Sequence, residues 1–284
     1  MIKILTDSTV DLPPELVEEH RIAIIPLHVS LDGRTYRDDG VDLGRREFFE
    51  KLKAAKSMPT TSQPSVGDFQ RVFGELLADG DEVVCITISS EISGTYQSAR
   101  GALELMPDAP VHLVDSRHVS IGLGPIVLHA ARMAEAGHTA EEIIDSVRAM
   151  PDTCNLVFLV DTLEFLHRGG RIGTASTLMG TLLNIKPLLT VKDGIIQPLH
   201  KARSKKQAQS YTLSLLEEKT PRGTAIACAM THAVNPDDAR WFEEQIRERY
   251  DCKHLYVGEM GPVVGTHVGP GVVGIAIYPW NGTS

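Results

Sequence analysis

The first half of the chain alternates short apolar segments with helical patterns. The apolar segments begin at Ile2, Glu82 and Val111, and each ends in a polar loop that a helix follows. Asp11 is the predicted N-cap of the first of these helices. Apolar strands that alternate with helices predict a parallel sheet covered on both faces. The polar loops at the carboxyl ends of its strands are where such a sheet binds ligands.

Residues 21–45 interrupt this alternation. Ile22–Leu31 and Thr35–Asp42 flank Asp32-Gly33, a dipeptide typical of β-hairpin turns, so the segment predicts a β-ribbon folded over the sheet. Residues 58–65 are bounded by prolines and predict a loop, after which Ser65 caps a helix over Val66–Asp79.

The second half has a different order of elements. A strand is predicted at Leu156–Val160, a helix at Thr174–Leu183, and a hairpin on either side of Lys192-Asp193-Gly194. Further helices and strands follow, and together they predict a mixed sheet with helices on one side.

The expected fold class is therefore α/β with two domains. Residues 1–150 form a parallel-sheet α/β/α domain that carries the ribbon, and residues 151–284 form a mixed-sheet α+β domain. The boundary is placed at Met150–Asp152, after a helix that ends at Ala149.

Composition and charge exclude several classes of protein. The formal net charge of -9 argues against binding to nucleic acid or to anionic membranes, which relies on Lys and Arg. No apolar run approaches the ~20 residues that a membrane span requires, and the N-terminus has no signal-peptide pattern. The four cysteines form no CxxC pair and the histidines have no metal-binding spacing, so neither a metal nor another cofactor is expected. We expect a cytoplasmic protein with no stable membrane insertion.

Three segments carry candidate polar chemistry. Ser93-Gly94-Thr95 opens a helix directly after a buried strand, where free backbone N–H groups and hydroxyls can bind an anion, although simple helix capping is the alternative. Thr60–Ser65 adds further hydroxyls, or is merely a turn. Gly261–Gly271 surrounds His267 with glycines that permit close approach to a ligand, or is an ordinary glycine-rich loop.

Nucleotide binding and ester hydrolysis find less support in these residues. Arg168-Gly169-Gly170-Arg171 lacks the spacing of a P-loop, so ATP binding is not indicated. A serine esterase or thioesterase would use Ser93 and His267, but no GxSxG motif surrounds Ser93. Hydroxyl donors with one histidine and no activated nucleophile suit the binding of a carboxylate better than catalysis.

At these residues the sequence resembles the DegV family of fatty-acid-binding proteins. The likeness runs in order along nearly the whole chain, and only the combined series is specific. Its pieces are Thr6–Pro13, Asp32-Gly33 with Tyr36 and Asp38, Thr60–Ser65, Ser93–Ala99, Val114–Ser116, Leu166–Ile172 and Gly265–Gly271.

The resemblance implies a function and a set of residues. It implies one long-chain fatty acid buried between two domains, whose carboxylate is presented to a separate ATP-dependent kinase that forms the acyl phosphate. Carried over by position, Thr61, Ser93 and His267 would hold the carboxylate with help from the Gly94 N–H. Arg171 is a weaker candidate for the same role. The basic segment formed by Arg203, Lys205 and Lys206 would bind the kinase.

The sequence departs from the family pattern at two positions, and two other functions are compatible with it. His167 stands where the family usually has Lys or another residue, and Val268 where it often has Thr, which could alter the rim of the pocket. The protein could instead be the esterase described above, or a lipid sensor or storage protein without a kinase. The aliphatic residues that could line a tunnel are Leu178, Met179, Leu182, Leu183 and Ile185, although such residues are more often plain core.

Overall fold

The structure, a computed structural model, describes residues 1–180 and 185–280. Its strands are β1 (Ile2–Asp7), β2 (Ala23–Ile25), β3 (His28–Leu31), β4 (Arg34–Arg37), β5 (Thr60–Ser62), β6 (Glu82–Thr87), β7 (Val111–Asp115), β8 (Asn155–Leu159), β9 (Lys186–Lys192), β10 (Ile195–Ala202), β11 (Ala225–His232), β12 (Asp251–Glu259) and β13 (Val273–Pro279). Its α-helices are α1 (Pro14–Glu19), α2 (Arg45–Ala54), α3 (Val66–Leu76), α4 (Thr95–Glu104), α5 (Leu123–Glu135), α6 (Ala140–Thr153), α7 (Glu164–Arg168), α8 (Lys205–Lys219), α9 (Pro236–Arg249) and α10 (Pro262–Val268).

The first sheet has four parallel strands in the order β2-β1-β6-β7. Strand β6 is buried almost throughout, because helices cover the sheet on both faces. On one face, Phe69 and Phe73 of α3 and Ala99 of α4 pack on the strands, while α5 packs on the other. The predicted parallel α/β sheet is confirmed.

The excursion forms a separate sheet of three strands in the order β4-β3-β5. The ribbon is confirmed, but two details of the prediction are wrong. Ile22–Leu31 divides into β2, which joins the first sheet, and β3. Residues 60–62 form strand β5 rather than a loop, because their partner lies 32 residues away in β3 and no local pattern reveals such a pairing.

The remaining sheet has six strands in the order β10-β9-β8-β13-β11-β12, of which only the β11–β12 pair is parallel. Helices α8 and α9 cover one face with residues such as Leu216 and Phe242. The other face packs on the first half of the chain, in a core that includes Ala276 and Tyr278 of β13 together with Ile126 of α5. A mixed α+β arrangement is confirmed.

Four local predictions are wrong. Asp11 does not cap α1, which begins after Pro13 without a side-chain cap. Helix α6 continues through Pro151 to Thr153, so Met150–Asp152 is helical and the helix does not end at Ala149. Gly261–Gly271 contains helix α10 rather than a loop throughout. The predicted helix Thr174–Leu183 is a 3-10 turn at Gly173–Leu178, and its positions 181–183 lie outside the described residues.

Candidate functional site

A hydrogen bond joins two residues that are 206 positions apart in the chain. Thr61 Oγ1 lies 2.8 Å from Nε2 of His267. Thr61 is the middle residue of β5, and His267 is in the last turn of α10, which contacts both β3 and β5. The ribbon and the final helix therefore form the first part of the site.

His267 is held as a neutral imidazole. Burial, together with the neighbouring Arg171 charge, lowers the pKa of His267 to about 4. Gly169 packs directly against the ring at Nδ1, so that a Cβ at this position would collide with it. Nδ1 is buried and has no hydrogen-bond partner in the described part of the chain. The ring thus offers hydrogen bonding without adding a full positive charge.

The loop after β6 supplies the second part of the site. Ser93 Oγ lies 2.9 Å from Oγ1 of Thr95 and accepts from the Thr95 backbone N–H at 3.3 Å, at the start of α4. A Cβ at Gly94 would lie 2.6 Å from Nε2 of Gln63, so this loop and the end of β5 approach each other closely. A side chain at Gly94 would therefore require the Gln63 amide to move.

Arg171 connects the loop to the region around His267. Its Nε donates to the carbonyl of Ile92 at 3.2 Å, and its Nη1 donates to the carbonyl of Gly169 at 2.9 Å. No acidic side chain pairs with Arg171 among the described residues. Thr61, Ser93, Gly94, His267 and Arg171 therefore lie in one region, and their roles stay a prediction.

A small apolar cavity of about 40 Å³ lies beside the helix that carries His267. Val264 and Val268 of α10 line it, together with residues of the six-stranded sheet such as Phe158 and Ile196. Its two hydroxyl groups already have partners, because Ser120 donates to Asp11 and Thr231 donates to the carbonyl of Gly258. The cavity volume is far below the about 300–1,000 Å³ of typical small-molecule sites, although the lining suits an alkyl group.

Of the aliphatic residues named as possible tunnel lining, those that the structure describes do not line this cavity. Leu178 is buried in the main core, Met179 is 41% exposed and Ile185 is half-buried. The cavity beside α10 is lined by other residues. Leu182 and Leu183 lie outside the described residues.

Two buried carboxylates hold the other end of α10, and the sequence reasoning missed this role. Asp11 accepts from the Gly261 N–H at 2.7 Å and from Ser120 Oγ at 2.6 Å. Asp38 accepts from Ser8 Oγ at 3.0 Å and lies close to Asp11. Burial, with the nearby Asp11 charge, raises the pKa of Asp38 to about 7. The αL backbone conformation of Asp11 was the local feature that excluded a helix cap, but sequence alone does not give it.

The basic segment of Arg203, Lys205 and Lys206 lies apart from these residues. Lys205 pairs with Asp238 of α9 at 2.5 Å, while Arg203 and Lys206 are exposed. The segment follows the end of β10, whose other end begins at the turn where Gly194 accepts a hydrogen bond from Ser89. Since a strand rises about 3.3 Å per residue and β10 has eight residues, the segment is about 26 Å from that turn.

This arrangement can hold an anion, and Ser93 is not hydrogen-bonded to His267. Ser93 bonds Thr95, and Nε2 of His267 bonds Thr61, so neither contact is the Ser–His bond of an esterase. Within residues 1–180 and 185–280, no cluster of His, Cys, Asp or Glu could bind a metal ion. The same residues contain no helix long and apolar enough to span a membrane.

Comparison with known proteins identifies the family. A family model described as that of uncharacterised DegV-family proteins matches residues 1–280. The chain belongs to the DegV family. Protein DegV of Bacillus subtilis is 36% identical over 275 residues, which cover 96% of this chain and 98% of that protein. A DegV domain-containing protein of Caldanaerobacter subterraneus is 34% identical over 274 residues, 96% of this chain and 97% of that one.

Solved DegV structures share the whole fold. A DegV-family protein from Thermus thermophilus, described by its fatty acid binding, has a TM-score of 0.91 and 36% identity, with 98% of this chain and 99% of that chain covered. DegV from Bacillus subtilis, described as a fatty acid binding protein, has a TM-score of 0.88 and 35% identity over 98% and 99% of the two chains. A stearic acid-binding protein from Eubacterium ventriosum has a TM-score of 0.87 and 30% identity over 98% of each chain.

Proposed function

We propose that this protein binds one long-chain fatty acid between an N-terminal domain of residues 1–150 and a C-terminal domain of residues 151–284. The acyl chain enters and widens the small apolar cavity beside α10, and the carboxylate lies at Thr61, Ser93 and His267, with the Gly94 N–H and Arg171 assisting. The observation that carries the proposal is the bond between Thr61 and His267 beside a cavity lined by Val264 and Val268. Fatty acid binding by relatives that share the fold supports the same ligand.

The chemistry of the site suits a carboxylate whose tail is buried. A buried carboxylate is costly unless several donors satisfy it, and hydroxyls with a neutral imidazole do so without burying a further cation. Arg171 donates to two carbonyl groups and has no acidic partner in the described residues, so its charge remains available to the ligand. Burial of the alkyl chain contributes about 0.8 kcal/mol per CH₂, so the tail provides most of the affinity.

We further propose that the protein presents this carboxylate to a separate ATP-dependent kinase, which forms the acyl phosphate, and is not itself a catalyst. The exposed Arg203 and Lys206 would contact the kinase at a distance from the carboxylate, since they follow the far end of β10. A rim contact of this kind affects the rate of association more than the chemistry. The proposal therefore separates a docking surface from the carboxylate site.

Reconstitution with a purified fatty acid kinase, palmitate and ATP tests this separation. Ser93→Ala should reduce acyl phosphate formation at least about tenfold while retention of palmitate changes less, because the tail dominates binding and one lost donor costs roughly 1–3 kcal/mol. Arg203→Glu with Lys206→Glu should weaken the kinase interaction and leave palmitate bound. The charge-matched control is Lys53→Glu with Lys56→Glu, two exposed residues at and just beyond the end of α2.

Three results would contradict the proposal in different ways. Complete loss of palmitate in Ser93→Ala would show that the carboxylate, not the tail, dominates affinity. Equal behaviour of the two double variants would remove the docking surface and favour a lipid sensor or storage protein. Turnover of a chromogenic ester that is abolished in Ser93→Ala would favour the esterase.

A further inference from the structure

A second and larger cleft lies away from the residues described above. It separates helices α5 and α6 from the six-stranded sheet, where β11 and β12 begin and β13 ends. The cleft has a volume of about 300 Å³. This volume lies at the lower end of the about 300–1,000 Å³ that is typical of small-molecule sites.

The charged lining of this cleft has one sign. Arg132 of α5 lines it with His129 and His254, and no Asp or Glu belongs to the described lining. Arg132 is half-buried and has no ion pair with any described residue, in a chain that carries a net charge of -9. A partly buried guanidinium without a counter-ion is costly, and it favours an anion that can pair with it.

The histidine next to Arg132 is fixed by the protein. His129 Nε2 lies 2.7 Å from Ser146 Oγ, a contact that joins α5 to α6 at the wall of the cleft. Burial and the Arg132 charge lower the pKa of His129, so its ring is neutral near pH 7. Arg132 therefore provides the positive charge of this wall, and the wall is already ordered before a ligand arrives.

The rest of the lining is apolar and aromatic. Leu128, Met150 and Tyr256 form part of it, and at the strand ends the rings of His254 and Trp280 lie with their centroids 4.8 Å apart. Aromatic faces stack on flat ligand groups and exclude water from them. The cleft thus combines one cation with surfaces that suit a short hydrocarbon or aromatic body.

We infer that this cleft binds a small amphipathic organic anion, with one carboxylate paired to Arg132 and an apolar or aromatic body against Tyr256 and Trp280. The ligand is distinct from the long-chain fatty acid, and the inference does not rest on the proposed function. The open mouth of the cleft suits a ligand that exchanges with solvent.

Trp280 allows a local measurement, because Trp241 and Trp280 are the two tryptophans of the chain. Trp241 packs edge-on against Phe242 on α9, so Trp241→Phe is conservative and leaves Trp280 as the only tryptophan. Titration of this variant, saturated with palmitate, with 4-phenylbutyrate should give a saturable change in Trp280 fluorescence. The uncharged analogue 4-phenylbutan-1-ol should bind about tenfold more weakly, because it cannot form the charge-assisted hydrogen bonds to Arg132.

The variants for this test change the side chain of Arg132 in the cleft wall and leave the hydrophobic core intact. In the same Trp241→Phe background, Arg132→Gln should remove the preference for the acid over the alcohol, and Arg132→Lys should keep part of it. Arg148→Gln on the exposed side of α6 is the matched control and should leave the preference intact.

Several outcomes would overturn the inference. These are an unsaturable response, equal affinities for acid and alcohol, or identical behaviour of Arg132→Gln and Arg148→Gln while both melt like the parent. Sedimentation that shows the cleft covered in a dimer, with binding lost as protein concentration rises, would assign it to a second copy of the chain instead. A protein that fails to retain palmitate but still shows the Arg132-dependent response would contradict only the proposed function.

Discussion

The two ends of helix α10 have opposite chemistry. At Gly261, the first end is held by the buried carboxylate of Asp11, with Asp38 beside it. At His267, the other end faces the Thr61 hydroxyl and Arg171, and no acidic side chain hydrogen-bonds to His267 among the described residues. Acidic side chains of the protein therefore lie at one end of the helix, and none hydrogen-bonds to His267 at the other end among the described residues. This difference leaves the His267 end suited to an anion that comes from outside.

The comparison assigns stability to the Gly261 end, and Asp11→Ala tests it with the largest expected effect. The substitution leaves the Gly261 N–H and the Ser120 hydroxyl without their acceptor. Because each unsatisfied buried donor costs roughly 1–3 kcal/mol, urea denaturation should show a loss of about 3 kcal/mol in the free energy of unfolding. Asp145→Ala, at an exposed position of α6, is the control and should change little. A loss under about 1 kcal/mol would mean that Asp11 does not hold α10.

Asp38→Asn tests the Gly261 end of α10 through the pH dependence of the free energy of unfolding. Because the pKa of Asp38 is about 7 in the folded protein and near its ordinary value of 3.8 when unfolded, only the folded state holds this proton between pH 4 and 7. Its contribution to stability is fully present below pH 4 and is lost as pH rises to 7, by up to about 1.4 kcal/mol per pH unit.

The measurement for Asp38 is a difference between two proteins. Urea denaturation of the wild type and of Asp38→Asn across pH 4–8 removes the contributions that both share, including that of His267. The wild type should lose stability relative to the variant up to pH 7 and then stay level. A constant difference across this range would show that Asp38 is ionised in the folded protein.

Gly169→Ala acts on the His267 end alone. The new methyl group would collide with His267 Nδ1 and lie 3.0 Å from the carbonyl of Phe165, so the imidazole must shift from its position against Thr61. Overpacking of this kind costs about 1–3 kcal/mol, and we expect palmitate to be released about tenfold faster in a lipid-transfer assay. Gly74→Ala on α3, where a Cβ meets nothing within 4 Å, is the control. Unchanged release with an altered fold stability would mean that His267 does not contact the ligand.

Thr61→Val should have the smallest effect. It keeps the shape of the side chain and removes its hydroxyl, so the bond to His267 is lost at a cost of about 1 kcal/mol. Retention of palmitate should fall about fivefold, while the urea midpoint changes little because Thr61 is half-buried on a short strand. The reverse result, a loss of stability with normal retention, would make the Thr61–His267 bond structural.

The sequence predicted the elements with strong local patterns. The parallel strands β1, β6 and β7, the capped helix α3 and the hairpin of β9 and β10 each follow from periodicity, a cap or a turn dipeptide. Strand β5 was not predicted because its three residues gain their structure from β3. Helix α10 was not predicted because Gly265 in its middle disfavours a helix unless packing fixes it, as Phe48 and Phe49 do.

The residues of the candidate site also divide into those that local sequence patterns indicated and those that they did not. Ser93 and Gly94 were accessible from the sequence, because they follow a buried strand and open a helix. The grouping of Thr61 with His267 and Arg171 came from family resemblance, since their contacts span large separations in the chain. Asp11 was assigned to a local cap, although its carboxylate acts 250 residues away at Gly261. Long-range hydrogen bonds leave no periodic signal in a sequence.

The central claim is that one long-chain fatty acid occupies the site beside α10 with its carboxylate at Thr61, Ser93 and His267. Solvent extraction of the purified, folded protein followed by mass spectrometry measures this directly, with a Thr61→Val, Ser93→Ala, His267→Ala variant in parallel. The account predicts one long-chain fatty acid per wild-type protein and a clear reduction in the triple variant. An empty extract from folded wild-type protein, or equal amounts from both, would contradict it.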